Sequence, residues 1–465
     1  MVKEEASMKL YRNIIILVAV LIVLAGAYLI IDRTIKPDNT EAEDKRIELS
    51  KFDSEMVDEL TVESTDGKFV FKKNGTEWEL ISGGNFKIDA TNVNAIAVNA
   101  ADLKAYKLIE ENASSLEKYG LDNPYKITVK LSDGTETALE VGNMTPTKEA
   151  YYIKKKDSKS VYAVYASTGD LLVANKYELR NKYIFDVYST DVIKFSLDRN
   201  GKRVFSTEKS KESGWMILEP IQGKTNLVRV STILDSFVRS SVTEYVEENP
   251  QDLAKYGLDN PSYVIEAATD KEKIKLFLGK ESDTEYAYYG RIDGSNEILS
   301  IDSSALSFID IKAIEVCENL VYTPSIYDVS EVVVNIDGNT RTLKIESDSA
   351  KPEEDKFNID GIDVVGKGDE AISAFRNYYR SLIGIIYEDI EILDQKPTGT
   401  PEITITYTME TAPGKMVVEF IPKDERNYYA LRNGEYVGMV VKKKVFDEAD
   451  GPRKNYEKLM EVLKK

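Results

Sequence analysis

The segment Lys118-Tyr119-Gly120-Leu121-Asp122-Asn123-Pro124 returns letter for letter as Lys255-Tyr256-Gly257-Leu258-Asp259-Asn260-Pro261, 137 residues later. Trp78 falls on Trp215, Gly142 on Gly279 and Tyr151-Tyr152 on Tyr288-Tyr289 at the same offset. A fixed period of this length marks a tandem array, so the chain must fold as copies of one unit. A third, more diverged copy follows. Pro401 and Tyr428-Tyr429 lie 140 residues beyond Pro261 and Tyr288-Tyr289, and Phe357 falls near the place of the tryptophan. The Gly-Leu-Asp-Asn-Pro turn is missing there. Lys396-Pro397-Thr398-Gly399-Thr400-Pro401 stands in its place as another breaker-rich turn, before the alternating run Glu402 to Tyr407.

At 465 residues the length prior gives about three domains, in agreement with the repeat period. With 42% hydrophobic and 30% charged residues the chain is globular, and each copy has enough apolar material for its own core. Cys317 is the single cysteine, which excludes a disulfide scaffold. A net charge of -19 without a basic stripe argues against nucleic acid, and anionic lipid would be repelled likewise. The chain has no histidine, which removes Ser-His-Asp and Cys-His catalysis and imidazole zinc sites.

From Ile14 to Ile31 the chain runs for eighteen residues without a charge. As a helix this stretch is about 27 Å long, close to the thickness of a bilayer core. It is longer than a usual signal-peptide apolar region, and no clear small-x-small cleavage site precedes the polar linker, so it reads as an uncleaved anchor. No cysteine lies near its end to make a lipoprotein. Lys3, Lys9 and Arg12 on one side face Arg33, Lys36, Lys45 and Arg46 on the other, so the charge count does not decide orientation. The N-terminal position of the segment, behind a short basic lead, predicts a single-pass anchor in the cell membrane with the bulk of the chain extracytoplasmic. A lone cysteine in so large an exported body fits a setting that makes little use of disulfides.

Residues 36–48 are polar without apolar period and read as a spacer. In the first copy Glu59 to Glu63, Lys68 to Lys72 and Thr76 to Ile81 form a meander with turns at Asp66-Gly67 and Asn74-Gly75. Val93, Ile96, Ala97, Ala100, Ala101 and Leu103 follow at helical spacing behind Asp89-Ala90-Thr91. The second copy offers Leu227, Val230, Ile233, Leu234 and Phe237 with a cap at Thr225, and the third Ile372, Phe375, Tyr379 and Leu382. Then Ile127, Val129 and Leu131 alternate before Asp133-Gly134, Leu139 and Val141 after it, and two more strands run over 150–154 and 160–165.

The fold class is therefore α+β: an N-terminal transmembrane helix followed by three tandem repeated domains, each a mainly antiparallel sheet with one amphipathic helix. The expected limits are 1–35 for the anchor, 36–50 for the linker, and 51–188, 189–325 and 326–465 for the repeats, the last degenerate. The joining segments 168–187 and 305–327 are not rich in glycine or proline and read as ordered connectors, making a fairly stiff, elongated array.

The candidates for chemistry are few. Asp122-Asn123 and Asp259-Asn260 offer oxygens to calcium, but one or two are far from the six to eight that the ion needs, and a turn role fits them better. The pairs Tyr151-Tyr152, Tyr288-Tyr289 and Tyr428-Tyr429, in a chain with 28 tyrosines to 14 phenylalanines, suggest a stacking surface for sugar or peptide. Strand alternation instead assigns one ring of each pair to the core and one to an exposed or interfacial position. Trp78 and Trp215 read as core anchors. A glycosidase needs only two carboxylates, but Glu247-Glu248 and Glu353-Glu354-Asp355 sit in predicted loops as solvated charge. No phosphate loop, dinucleotide fingerprint or nucleophile elbow is present. No catalytic, cofactor or metal residue is therefore assigned, and no cofactor is expected.

The N-terminal apolar segment, the repeated Tyr-Gly-Leu-Asp-Asn-Pro turn, Gly142 and Gly279, and the Tyr-Tyr strand together resemble the bacterial family catalogued as domain of unknown function 4340. The resemblance covers most of the chain after residue 35, and the third copy departs from the motif. Members are commonly encoded beside ABC transporter components similar to those of gliding motility. The resemblance thus implies a non-enzymatic accessory or scaffold protein, anchored through residues 14–31, whose partner is an ABC permease or another membrane protein. An envelope module that binds polysaccharide or peptide stands as the alternative, and a carboxylate-dependent glycan hydrolase as a more distant one.

Overall fold

The structure is a computed structural model that describes residues 46–283 and 286–465. The apolar run 14–31 and most of the linker lie outside the described residues. Among those described, no helix is long and apolar enough to cross a membrane. The chain divides into two compact units, the first reaching Asn181 and the second running from Lys182 to Lys465. The first holds one large sheet and the second holds two.

In the first unit β1 (Ile47–Lys51) precedes a meander of β2 (Val57–Ser64), β3 (Gly67–Asn74) and β4 (Glu77–Ser82). Helix α1 (Ala90–Ala101) then crosses the sheet. It is followed by β5 (Asp102–Ala105), β6 (Lys107–Glu110), β7 (Tyr125–Leu131), β8 (Glu136–Met144), β9 (Ala150–Lys155) and β10 (Val161–Tyr165). The spatial order is β4-β3-β2-β7-β8-β9-β10-β6, antiparallel throughout, with β1 and β5 paired separately. After the helix and β5, the chain places β6 at the edge of the sheet opposite β4. Alternation buries Leu60, Val62, Phe69, Phe71, Ile127, Val129, Leu139 and Val141 on one face, against Val93, Ile96, Ala97 and Ala100 of α1. Asp89 caps α1 by accepting from the Thr91 and Asn92 amides at 3.0 and 3.1 Å. Leu103, expected on the helix, belongs to β5, where it is fully buried.

The second unit repeats this plan twice. First come β11 (Lys194–Arg199), β12 (Lys202–Ser210), β13 (Gly214–Glu219), the two-residue β14 (Gly223–Lys224) and α2 (Leu227–Val238). Then follow β15 (Val242–Glu248), β16 (Tyr263–Ala268), β17 (Lys273–Glu281), β18 (Ala287–Ile292) and β19 (Glu297–Asp302), in the order β14-β13-β12-β11-β16-β17-β18-β19-β15. The third sheet has the same order, β23-β22-β21-β20-β25-β26-β27-β28-β24. Its strands are β20 (Val329–Ile336), β21 (Asn339–Glu346), β22 (Lys356–Ile359), β23 (Ile362–Asp363), β24 (Asp389–Ile390), β25 (Ile403–Met409), β26 (Lys415–Pro422), β27 (Asn427–Arg432) and β28 (Glu435–Lys442). Helix α3 (Asp369–Ile383) buries Phe375, Tyr378, Tyr379 and Leu382.

The expected cap Thr225 is not the cap of α2. Asn226 accepts from the Arg229 amide at 3.1 Å, while the Thr225 hydroxyl donates to the Trp215 carbonyl at 3.0 Å. A further helix, α4 (Pro452–Leu463), packs on α3, and the repeat has no counterpart for it. One apolar core runs through both sheets of this unit, from Ile184 to Leu463. The connectors contribute to the cores: Leu172 and Leu179 in the first unit, Ile184, Phe185, Phe308 and Val316 in the second.

Candidate functional site

The recurring heptapeptide forms a one-turn 3-10 helix, Glu117–Tyr119 or Ala254–Tyr256, closed by a left-handed glycine with φ 67° at Gly120 and 68° at Gly257. The turn seats on a β-bulge of the neighbouring strand, where the register slips after Val141 in β8 and after Leu278 in β17. Gly142 and Gly279 lie at these bulges. A Cβ there would come within 2.2 Å of the Tyr119 carbonyl oxygen and 2.1 Å of that of Tyr256. The two glycines of the motif are thus halves of one close contact.

Around each turn the same side chains gather. Tyr119 donates to Glu110 at 2.6 Å, Lys118 pairs with the same carboxylate at 2.6 Å, and the Tyr119 and Tyr152 rings lie 4.8 Å apart. In the second repeat Tyr256 donates to Glu247, Lys255 lies 3.9 Å from that carboxylate, and Tyr256 meets Tyr289 at 4.9 Å. Leu121 with Val161, and Leu258 with Ile298, complete two small satellite cores. The two bonds from Lys118 and Tyr119 hold the Glu110 carboxyl below the ordinary range.

The third repeat rebuilds this constellation from other positions. Glu391 pairs with Lys423 and accepts from Tyr429 at 3.4 Å, its backbone carbonyl accepts from Tyr436 at 2.8 Å, and the Tyr429 and Tyr436 rings lie 5.2 Å apart. There is no 3-10 turn between β24 and β25. Strand β26 carries Ile421 where Gly279 stands in β17, and the ladder runs on without a bulge. Gly438 stands where Ile298 stood. A Cβ on it would lie 2.9 Å from both Ile221 and Ile392, so Ile221 of the second repeat closes the space that Leu258 closes in its own. The loop expected to preserve the turn's geometry does not do so, and Ile221 of the second repeat together with Ile392 of the third occupies that space.

The remaining candidates fall into place in the same way. Asp122, Asn123, Asp259 and Asn260 are exposed at turn tips. Backbone bonds, Gly120 N–H to Glu117 and Leu121 N–H to Leu116, close the turn instead of the Asp and Asn side chains. Among the described residues no group of three or more cysteine, aspartate or glutamate side chains is placed to hold a metal. Each tyrosine pair splits across its sheet, with Tyr151, Tyr288 and Tyr428 on the main cores and Tyr152, Tyr289 and Tyr429 on the other face, and rings of both kinds are packed and bonded. Tyr151 donates to Asp170 at 2.8 Å, and burial ahead of that bond pushes its hydroxyl up to about 12. Tyr289 donates to Asp283 at 3.0 Å and Tyr428 to Glu402 at 2.8 Å.

Trp78 is buried and donates to Asn94 at 3.2 Å; Trp215 is half-buried against the core; Phe357 stacks on Phe375 at 4.8 Å. Glu247 and Glu248 lie on β15 rather than in a loop. Asp355 is buried instead of solvated, bonded to Arg376 at 2.5 Å and Ser347 at 2.7 Å, while Glu353 and Glu354 remain exposed.

What differs between repeats is the face of each sheet turned away from its helix. Register aligns Glu63, Lys126, Glu140 and Lys154 in one row across the first sheet, with ion pairs of 2.7 Å for Glu63–Lys126 and 2.5 Å for Glu140–Lys154. The matching row of the second sheet is Asp198, Val264, Phe277 and Arg291, with Arg291 5.2 Å from the Phe277 ring centre. In the third it opens with Asn335, Thr404 and Glu419. The place of Lys126 is thus taken by Val264 and then Thr404, and that of Glu140 by Phe277 and then Glu419.

Comparison with curated proteins and with solved structures returned no match. The sequence pattern of the family described as Domain of unknown function (DUF4340) matches twice, over residues 78–248 and 215–382. The matches start at Trp78 and Trp215, one repeat apart, and together span more than half of the chain. The chain belongs to the family described as Domain of unknown function (DUF4340).

Proposed function

We propose that this chain is a non-enzymatic accessory or scaffold protein, held on the membrane through residues 14–31 with its sheets outside the cytoplasm, working with an ABC-type transporter. The observation that carries the scaffold part is the contrast between the faces. The core and satellite-core residues that recur from repeat to repeat are engaged in packing, whereas the middle of the outward row changes from Lys126 and Glu140 to Val264 and Phe277 to Thr404 and Glu419. Such an array offers several distinct contact surfaces on one repeated frame, which suits joining partners better than a single reaction. The transporter part rests on the family resemblance. With no phosphate-binding loop in the sequence, the energy would come from the partner.

The test is chemical cross-linking in intact cells that carry a tag after Lys465, mild solubilisation, and mass spectrometry of what is recovered. A permease and its ATPase are expected. Recovery of the chain alone, or only with wall polymer, would overturn the transporter role and favour an envelope-binding module.

A further inference from the structure

One groove of the second unit uses none of the recurring residues. It opens beside the 3-10 turn Ser189–Asp191 that leads into β11, between the turns that follow β12 and β16, and has a volume of about 880 Å³. Tyr188 lines it with 79% of its surface exposed. A tyrosine ring left this open at a groove offers its face for stacking.

Position 188 also breaks a local rule. The matching turn of the first repeat, Ser54–Met56, is capped by Asp53, whose carboxylate accepts from the Glu55 amide at 2.9 Å. Both turns run on through a buried valine, Val57 or Val192, into the first strand of the large sheet. Tyr188 occupies the cap position of Ser189–Asp191, and its side chain caps nothing. A favoured capping residue is replaced by an exposed ring, a local cost of the kind that functional positions carry.

Five of the charged side chains around the ring are equally uncommitted. The side chains of Asp191, Lys211, Asp270, Lys271 and Glu272 line the groove and make no hydrogen bond or ion pair among the described residues. Their neighbours on the same sheet are paired, Lys194 with Glu208 at 3.0 Å and Lys275 with Glu266 at 2.7 Å. Both signs of charge are present, so neither a polyanion nor a polycation is matched. The groove is open and its lining mixes polar with apolar surface, which suits a ligand that has both kinds of face. An uncharged sugar chain fits: the C–H face of a pyranose stacks on an aromatic ring, and its hydroxyls both donate to carboxylates and accept from ammonium groups. We propose that this groove binds an uncharged oligosaccharide, with Tyr188 as the stacking platform and the surrounding carboxylates and lysines as hydroxyl partners.

The test is calorimetric titration of the full chain in detergent with the β-1,4-linked tetrasaccharide of N-acetylglucosamine and, separately, with maltotetraose. Saturable binding of at least one is expected, with a dissociation constant on the order of 10–1,000 μM. Tyr188→Phe keeps the platform and should bind as the native chain does, whereas Tyr188→Ala should weaken binding about tenfold, the scale of one aromatic contact. Tyr188→Asp restores the cap, so it should raise the melting temperature while losing the sugar, which separates loss of the site from loss of the fold. No binding of either sugar, or undiminished binding by Tyr188→Ala and Tyr188→Asp, would overturn the proposal. So would a cross-link from the groove to a polypeptide partner in a chain that binds neither sugar. Because the readout is on the purified chain, its failure leaves the transporter proposal standing.

Discussion

Gly279 sits at the β17 bulge with the Tyr256 carbonyl so close that an added Cβ would lie 2.1 Å away. That obstacle is backbone, which cannot swing aside as a side chain can. Gly279→Ala should therefore cost about 1–3 kcal/mol through a shifted turn, read as a lower urea midpoint with unchanged slope. A second residue-scale effect concerns acid. Two bonds from Arg453, of 2.7 and 2.8 Å, hold the Asp337 carboxyl below its ordinary value. A carboxyl depressed in the fold contributes stability above its unfolded value, near 3.8, and loses it as pH falls through the folded one. Melting temperatures should fall as pH drops below about 4, and Asp337→Asn should make that acid limb shallower. Sequence alone shows which glycines recur and where acids lie. It does not show that Gly257 and Gly279 meet, or that Asp355 is inside while Glu354 is outside.

At the scale of elements, strands and helices were readable because alternation and helical spacing are local signals. Leu60, Val62, Phe69 and Phe71 alternate as a half-buried hairpin must, and Val93, Ile96, Ala97 and Ala100 share one helix face. What escaped was settled by distant contacts. Thr225 and Asn226 are both capping residues, and the choice falls to Asn226 because the Thr225 hydroxyl is drawn to the Trp215 carbonyl. Helix α4 carries Pro452 at its start and Leu459 and Leu463 on one face, but the repeat offered no template for it. At the missing third turn a distant contact also takes part, since Ile221 from another repeat fills the space together with Ile392. Ile221→Ala should therefore cost about 2–4 kcal/mol. Because one core joins both sheets of residues 182–465, the loss should appear as a single shifted transition in denaturant unfolding.

At the scale of the whole molecule, the net charge of -19 and the missing histidines narrowed the function without naming it. The period of the sequence revealed the three-fold plan, and the fold adds that this plan governs the helix-side cores and the satellite clusters, while the outward rows beside them vary. Lys-Glu-Tyr-Tyr groups recur in all three sheets, the last assembled from Lys423, Glu391, Tyr429 and Tyr436, although the letters of the motif are gone. Recurrence of geometry after loss of sequence is what a packing requirement leaves behind. The recurring signature builds the fold: its tyrosines, glycines and leucines are spent on the turn, the bulge and the satellite cores. Scanning calorimetry of the full chain carrying Tyr256→Ala tests this most directly. The melting temperature should fall by several degrees, corresponding to a loss of about 2–4 kcal/mol from the emptied satellite core. A melting curve that superimposes on that of the native chain would contradict it.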